Sequence, residues 1–234
     1  MMLESLKEHV WQANLDLVRY GLVILTFGNA SGIDRERGIV AIKPSGISYD
    51  DMKPGDMVLV DLDGKTVEGT LNPSSDTPTH IELYKSFPDV GGIVHAHSEY
   101  ATMFAQAARE IPCLGTTHAD HFHGPVPVTR FLSKKEVEGD YEGNTGRLIV
   151  DRFSGLVPLE VPAVLVAGHG PFAWGKSPED AARNALVLEK TAKMALGSLI
   201  LDPRKDRLPD YILNKHYLRK HGPNAYYGQK KQGA

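Results

Sequence analysis

Two histidines stand one residue apart at the end of an apolar, β-branched segment. Residues 92–98 read Gly-Ile-Val-His-Ala-His-Ser, which predicts a buried strand that ends in His95 and His97. Residues two apart on a strand share a face, with backbones roughly 6.5 Å apart. Two imidazoles held side by side suit one metal ion in the zinc, iron, nickel or manganese range. The alternative for this pattern is a pair of histidines that only hydrogen-bond to backbone and water.

A third histidine follows another apolar segment. Residues 163–168 (Ala-Val-Leu-Val-Ala-Gly) predict a strand ending at His169, whose flanking glycines let the backbone approach a ligand. With His95 and His97 it would give a three-histidine face with open coordination positions, as in catalytic metal sites. A competing set of potential ligands, ranked lower because its flanks predict an irregular loop, comprises His118, His121 and His123.

Three segments carry groups suited to phosphate. The first segment, residues 28–32, consists of small residues and offers backbone N–H donors. The second, residues 43–46 (Lys-Pro-Ser-Gly), adds an ammonium and a hydroxyl. The third, residues 73–76 (Pro-Ser-Ser-Asp), precedes a predicted helix whose free N–H groups favour an anion. Each segment alone is also compatible with a plain turn. None is a Walker loop and no Gly-x-Gly-x-x-Gly follows a strand, so we expect no nucleotide or nicotinamide cofactor.

The elements that must position these groups alternate between helices and strands, with hairpins among them. This favours a single domain over residues 1–234, with a mixed sheet covered by helices on both faces. Asp76 before Pro78 is typical of a helix cap. The predicted helices cover residues 3–20, 77–87, 99–109, 145–153, 178–201 and 209–221. The predicted strands cover residues 38–43, 57–62, 65–68, 92–97, 125–130 and 163–168.

Composition narrows the class of protein. The chain has 234 residues, of which 41% are hydrophobic and 24% charged, an ordinary globular balance. The net charge of −3 gives no global field that favours nucleic acid. The single cysteine, Cys113, suits a reducing compartment, and no apolar run approaches the ~20 residues of a membrane span. The N-terminus lacks the apolar stretch of a signal peptide. We therefore expect a cytoplasmic protein that binds neither nucleic acid nor membrane.

Longer motifs resemble the family of zinc-dependent class II sugar-phosphate aldolases and epimerases. The resemblance runs over about residues 3–229 and implies a three-layer α/β/α sandwich around a mixed, largely antiparallel sheet. Its motifs are Asn29, residues 43–46, 73–80 and 95–97, and His169-Gly170-Pro171-Phe172. Residues 116–120, 215–222 and 225–229 look like the epimerase members in particular.

The resemblance implies a role for each matching residue. Asp76 matches an extra acidic ligand or base that is usually glutamate in the aldolase relatives, and the shorter side chain favours an epimerase. Asp120 and Tyr227 match two acid/base groups, the tyrosine coming from the neighbouring subunit of a ring-shaped tetramer within the tail 222–234. The implied zinc ligands, which would also suit manganese or cobalt, are His95, His97 and His169. The implied phosphate-binding residues are Asn29, Lys43, Ser45, Gly46, Ser74 and Ser75. Supporting positions are Thr116, Glu142 and His216.

The activity that the resemblance implies is inversion of L-ribulose 5-phosphate at C4 to give D-xylulose 5-phosphate. C4 lies β to the carbonyl, so the proton on C4 is not acidified. Removing that proton and returning it to the other face therefore cannot invert C4. Oxidation and reduction would need a nicotinamide site. The route left is retro-aldol cleavage of C3–C4 to an enediolate and glycolaldehyde phosphate, followed by re-addition on the other aldehyde face. A class II aldolase such as L-fuculose-phosphate aldolase, and a non-catalytic binding module like the head domain of adducin, are the alternatives.

Overall fold

Seven strands form one sheet within residues 3–228, the part of the chain that the computed structural model describes. The strands are β1 (Asn29–Asp34), β2 (Ile39–Ile42), β3 (Val58–Asp61), β4 (Thr66–Glu68), β5 (Gly92–His95), β6 (Ala163–Leu165) and β7 (Pro171–Gly175). Their order is β4-β3-β2-β1-β5-β7-β6, and each neighbouring pair is antiparallel. A parallel contact occurs at the isolated bridge between Val128 and Leu165. The predicted largely antiparallel sheet is confirmed.

Helices cover both faces of this sheet. They are α1 (Leu3–Arg19), α2 (Thr77–Ser86), α3 (Glu99–Gln106), α4 (Thr116–Ala119), α5 (Lys134–Glu138), α6 (Tyr141–Arg152), α7 (Pro178–Leu201) and α8 (Asp210–His221). Helices α1, α3 and α7 pack on one face, and α2 and α6 pack together on the other. The predicted three-layer sandwich is therefore confirmed. Within the described residues, no helix is both long and apolar enough to span a membrane.

Strand β5 shows why the sequences of central strands are apolar without interruption. Ile93 packs in the core under α2 and α6, whereas Val94 packs in the core under α3 and α7. Both side chains are fully buried, and burying one such side chain contributes roughly 1.5–3 kcal/mol. A strand covered on both faces cannot show the polar alternation of a half-exposed one. This burial fixes the central strand whose end carries His95.

The close approach of helices to the sheet depends on small residues. At Gly32 in β1, an added Cβ would lie 2.7 Å from Pro178 and 3.0 Å from both Leu6 and Val10. Glycine therefore lets α1 and α7 pack directly onto β1. Helix α7 begins where the sequence predicts, because Ser177 accepts a hydrogen bond from the Asp180 backbone N–H.

Several sequence-based predictions of elements are wrong. The segment predicted as strand 125–130 forms only isolated bridges, at Val126 and Val128. Residues 116–119, expected as irregular loop, form a short helix, and α6 begins at Tyr141 rather than at residue 145. Two central strands, β1 and β7, were not predicted as strands. Part of the predicted tail, residues 229–234, lies outside the described residues.

Candidate active site

The three histidines meet at one end of the central strands. His95 ends β5, His97 follows two residues later, and His169 lies in the hairpin between β6 and β7. One ring nitrogen of each lies within 4.8 Å of those of the other two, and the Nε2 atoms of His95 and His97 are 3.1 Å apart. The predicted three-histidine face is confirmed. The competing set does not form: within the described residues, His118 instead bonds to the carbonyl oxygen of Gly124.

Strand register fixes the orientation of His95. It pairs with Asn29 on one side and with Phe172 on the other. Its ring stacks on Phe172 with centroids 4.2 Å apart, and its Nδ1 lies 3.0 Å from the carbonyl oxygen of Pro171. Donation from Nδ1 to that carbonyl leaves the Nε2 lone pair free for a metal ion.

The hairpin that carries His169 needs glycine on each side of it. Gly168 adopts φ +74°, in the left-handed region that favours glycine. At Gly170 an added Cβ would lie 2.9 Å from the carbonyl oxygen of Ala96. The two glycines thus allow the turn to approach the end of β5 closely enough to place His169 beside the other histidines.

The electrostatics of the cluster suit a metal ion. Burial, together with the neighbouring histidines, lowers the pKa of His169 to about 4. Burial and His95 also lower the pKa of His97. Both imidazoles are consequently neutral near pH 7, the form that coordinates metal. Three imidazole nitrogen donors in one pocket fit a divalent transition metal with open coordination positions.

Asp76 lies beside this cluster at the start of α2. Asp76 occupies the predicted N-cap position, but its side chain makes no capping hydrogen bond to the helix. Its carboxylate instead accepts a hydrogen bond of 2.7 Å from Nδ2 of Asn29. Burial alone would raise the pKa of Asp76, but attraction to His95 and His80 and the bond from Asn29 hold it below its ordinary value. Asp76 therefore places a negative charge next to the three histidines.

All the predicted phosphate residues share a pocket with the histidines. This pocket has a volume of about 450 Å³ and is also lined by Asp76 and Glu142. The phosphate candidates in its wall are Asn29, Lys43, Ser45, Gly46, Ser74 and Ser75. Asn29 also donates a 3.1 Å bond to the hydroxyl of Ser74, which ties two of the three segments together. We call these six residues the phosphate cradle.

Lys43 supplies a buried cation to the phosphate cradle. It is 1% exposed, and its ammonium donates to the carbonyl oxygens of Ile47 at 3.0 Å and Pro44 at 3.3 Å. Burial lowers the pKa of Lys43 to about 8, so the ammonium form predominates at neutral pH. A buried cation whose bonds go to neutral carbonyls favours an anionic ligand.

Sequence reasoning missed two aromatic residues in the pocket. The hydroxyl of Tyr141 lies 3.4 Å from Nδ1 of His169, and the ring centroid of Phe27 lies 6.4 Å from that of His97. Tyr141 was missed because the helix was predicted to begin four residues later, which left this residue in a loop. Its position directly before Glu142, already a supporting candidate, was the available signal.

A second group of charged residues gathers around Asp120. Its carboxylate accepts bonds of 2.9 and 2.8 Å from Nη2 of Arg219 and pairs with His216 at 3.0 Å and Lys220 at 3.4 Å. The ring of Tyr227 lies under the two cations, 5.1 Å from Arg219 and 4.4 Å from Lys220. We call Asp120, His216, Arg219, Lys220 and Tyr227 the Asp120 group.

The Asp120 group is separate from the pocket within one chain. Helices α4 and α8 pack together to form it, and none of its members lines the pocket. Thr116 also lies outside the pocket lining, exposed at the start of α4. Burial alone would raise the pKa of Asp120, but bonds from Arg219 and His216 and attraction to Lys220 lower it, so its carboxylate is ionised at neutral pH. The structure thus places both predicted acid/base residues against Arg219 and Lys220 and outside the pocket of the histidines.

Comparisons with known proteins agree with this architecture. The family described as Class II Aldolase and Adducin N-terminal domain matches residues 8–196. The chain is 56% identical to L-ribulose-5-phosphate 4-epimerase UlaF of Salmonella paratyphi C (strain RKS4594) over 228 residues, which cover 97% of this chain and 100% of that protein. A solved L-fuculose 1-phosphate aldolase matches with a TM-score of 0.76 at 28% identity, covering 91% of this chain and 94% of that one. L-fuculose 1-phosphate aldolase from Glaciozyma antarctica PI12 shares the fold, with a TM-score of 0.74 at 17% identity over 92% of this chain and 80% of that one.

Proposed function

The chain belongs to the class II aldolase and adducin N-terminal domain family, and we propose that it is a metal-dependent L-ribulose-5-phosphate 4-epimerase. The observation that carries the proposal is the pocket in which the three histidines face the phosphate cradle. That pairing suits a small phosphorylated substrate whose reacting end sits at a metal. The full-length identity of 56% to an epimerase, against 28% to an aldolase, favours epimerisation over irreversible cleavage.

Zinc is the metal that we propose, held by His95, His97 and His169 with Asp76 beside them. Manganese and cobalt also suit this donor set. A metal held there would supply Lewis-acid stabilisation of the negative charge left on the ketose fragment when C3–C4 breaks. The neutral state of His97 and His169 supports the assignment, because binding then needs no proton to leave.

The phosphate cradle would hold the substrate at the phosphate end. Lys43 supplies the cation, and Asn29 and the serines supply neutral donors. After cleavage of C3–C4, glycolaldehyde phosphate has to rotate and present its other face without leaving. A fixed phosphate is the pivot for that rotation, so the phosphate cradle keeps the cleaved fragment in the pocket.

Inversion needs proton transfer on opposite faces of C4. One group removes the C4 hydroxyl proton as the bond breaks, and a second protonates the new alkoxide after re-addition. We propose Asp120 and Tyr227 for these roles, with Thr116, Glu142 and His216 as supporting residues. Tyr141, whose hydroxyl contacts His169, lines the same pocket.

The separation of the Asp120 group from the pocket supports an active site shared between subunits. Asp120 and Tyr227 lie together in one chain, so we propose that both enter the pocket of a neighbouring subunit in a homotetramer. Each chain would be one catalytic domain whose tail, residues 222–234, takes part in this contact. Exposed apolar side chains accompany both regions, with Ile24 and Leu25 preceding Phe27 and Leu218 next to Arg219. Such residues are typical of surfaces that another chain covers.

Incubation of metal-loaded protein with L-ribulose 5-phosphate tests the function. We expect D-xylulose 5-phosphate as the product, with no release of glycolaldehyde phosphate. Accumulation of a free aldehyde would instead identify an aldolase, the reading that the structural match to L-fuculose 1-phosphate aldolase favours. Protein that carries no metal by elemental analysis and does not turn over L-ribulose 5-phosphate would identify a binding module.

We propose that the protein is located in the cytoplasm. Its buried free cysteine, Cys113, supports this location, because free thiols are typical of reducing compartments.

A further inference from the structure

Tyr49 does not line the pocket, yet it contacts two separate parts of its wall. The side chain is 5% exposed and lies between Lys43 of the phosphate cradle and the backbone of residues 27–28. Neither the histidine cluster nor the Asp120 group includes this residue. Its ring and its hydroxyl contact different partners, so each can be assigned a separate effect.

The ring faces the cation of the phosphate cradle. Nζ of Lys43 lies 4.7 Å from the ring centroid, within the range of a cation–π interaction. An ammonium has three N–H donors, and two of those of Lys43 are used by the carbonyl oxygens of Pro44 and Ile47. The ring therefore stabilises the buried charge without using the donor that an anionic ligand needs.

The hydroxyl holds the backbone that leads into Asn29. It lies 2.9 Å from the carbonyl oxygen of Gly28 and 3.1 Å from that of Phe27, and it donates its single proton to this pair. Gly28 adopts φ +83°, and an added Cβ there would lie 3.1 Å from the carbonyl oxygen of His95. The bend at Gly28 brings Asn29 into register beside His95, and the hydroxyl of Tyr49 fixes that bend.

We propose that Tyr49 is a positioning residue for the substrate phosphate. Its ring keeps the Lys43 ammonium in place, and its hydroxyl fixes the backbone that presents Asn29. The proposal rests on the proposed function, because it takes the ligand of the phosphate cradle to be a sugar phosphate. Tyr49 itself touches no reacting atom and acts through the two residues that it holds.

The test measures binding of inorganic phosphate to the full-length, metal-loaded protein by calorimetry, together with KM and kcat. Tyr49→Leu loses both the ring and the hydroxyl and should weaken phosphate binding about 30-fold, of which about 10-fold is the effect of roughly 1.4 kcal/mol of cation–π stabilisation. KM should rise by a similar factor with kcat within about 2-fold, as for loss of uniform binding. Tyr49→Phe keeps the ring and loses one hydrogen bond, so we expect about a 3-fold loss.

Met57→Ala is the matched control, because Met57 is buried in the same core cluster as Tyr49 and lies outside the pocket lining. It should lower the melting temperature without changing phosphate affinity. Equal affinities of Tyr49→Leu and Met57→Ala for phosphate would overturn the inference. Equal losses in Tyr49→Leu and Tyr49→Phe would overturn the role of the ring, and unchanged binding in Tyr49→Phe would overturn that of the hydroxyl. If Tyr49→Leu does not fold, Tyr49→Met replaces it, because its longer side chain fills more of the site.

Lys43→Met separates failure of this inference from failure of the proposed function. Wild type that binds phosphate, with loss of binding in Lys43→Met, supports the phosphate cradle whatever Tyr49 does. Wild type that binds no phosphate would overturn both the phosphate cradle and the role of Tyr49. Phosphate binding that survives Tyr49→Leu but not Lys43→Met would overturn only the role of Tyr49.

Discussion

The histidine cluster and the Asp120 group hold their polar side chains in opposite ways. His95 ends the central strand β5, His97 follows it, and His169 lies in the β6–β7 hairpin, all in a sheet covered on both faces. The Asp120 group lies at the C-terminal end of α4, on α8 and just beyond it, and Tyr217 is the one buried residue of α8. Apolar packing fixes the first region, whereas ion pairs and aromatic contacts fix the second.

This difference separates two tasks. The histidine cluster and the phosphate cradle line one pocket within a single chain, so we expect metal and phosphate to bind without a second subunit. The Asp120 group is held by its own ion pairs and lies outside the lining of that pocket. We therefore expect ligand binding to be a property of the single chain and turnover to be a property of the assembly.

Removing a histidine should cause the largest loss of function, because it should affect both metal binding and turnover. We expect His95→Asn to lose bound metal and at least about 10³-fold of turnover, because Lewis-acid stabilisation is worth several kcal/mol. Elemental analysis and product formation measure the two losses. His9→Asn is the control and should leave both unchanged, because this exposed imidazole pairs with Glu179 and lies outside the pocket lining. Metal retained at wild-type stoichiometry in His95→Asn would contradict the ligand assignment.

Neutralising Asp120 should remove turnover and leave the pocket intact. We expect Asp120→Asn to lose roughly 10²–10⁴ of turnover, the range for a general acid or base, while metal and phosphate still bind. Glu160→Gln is the control, since this carboxylate contacts His123 near α8 but lies outside the Asp120 group. Near-normal turnover of Asp120→Asn, measured as D-xylulose 5-phosphate formed, would exclude Asp120 as an acid/base residue.

Mixing the two inactive variants tests whether the regions belong to different chains. Co-refolded His95→Asn and Asp120→Asn should regain about a quarter of wild-type activity, because in a randomly mixed ring that fraction of interfaces joins an intact pocket to an intact Asp120. The specific activity of the mixture is compared with that of each parent. A mixture no more active than its parents would show that Asp120 serves the pocket of its own chain.

The smallest expected effect is the change that Asp120→Asn makes in the free energy of unfolding and in its dependence on acidic pH. The pKa of Asp120 is lowered in the folded chain, so its ion pairs stabilise the fold above the ordinary value of about 3.9 and that contribution is lost as pH falls through the lowered pKa. At pH 7 we expect Asp120→Asn to lower the free energy of unfolding by about 1 kcal/mol. Urea unfolding near pH 3 should show a smaller difference. A difference that is constant with pH would mean that Asp120 contributes by packing alone.

The clustering of the three histidines was predictable because its signals are local. The apolar strands and the glycines around His169 mark the strand ends on which the three side chains meet. Strand β1 was missed because Asn-Ala-Ser-Gly-Ile-Asp lacks β-branched alternation, and its assignment to the sheet comes from burial between neighbours. Strand β7 was missed since its proline and glycine ends read as a turn. In both cases tertiary burial overrode the local propensity.

The arrangement of the Asp120 group was not predictable from residue patterns. Asp120 and Arg219 are far apart in the chain, and nothing in the spacing around either residue indicates their pairing. The resemblance to a family supplied roles for Asp120 and Tyr227 but not their common location in one chain. The contacts of Tyr49 were missed for the same reason, because its partners at residues 27–28 belong to a different segment.

The pairing of Asn29 with His95 and of His95 with Phe172 also has a consequence for how the chain folds. These strands come from distant parts of the sequence, and closing such long loops is slow. A slip of one residue in either ladder would turn His95 to the opposite face of the sheet. We therefore expect metal capture during refolding to mark correct registration of the central ladder, because it can follow only after these distant strands have paired.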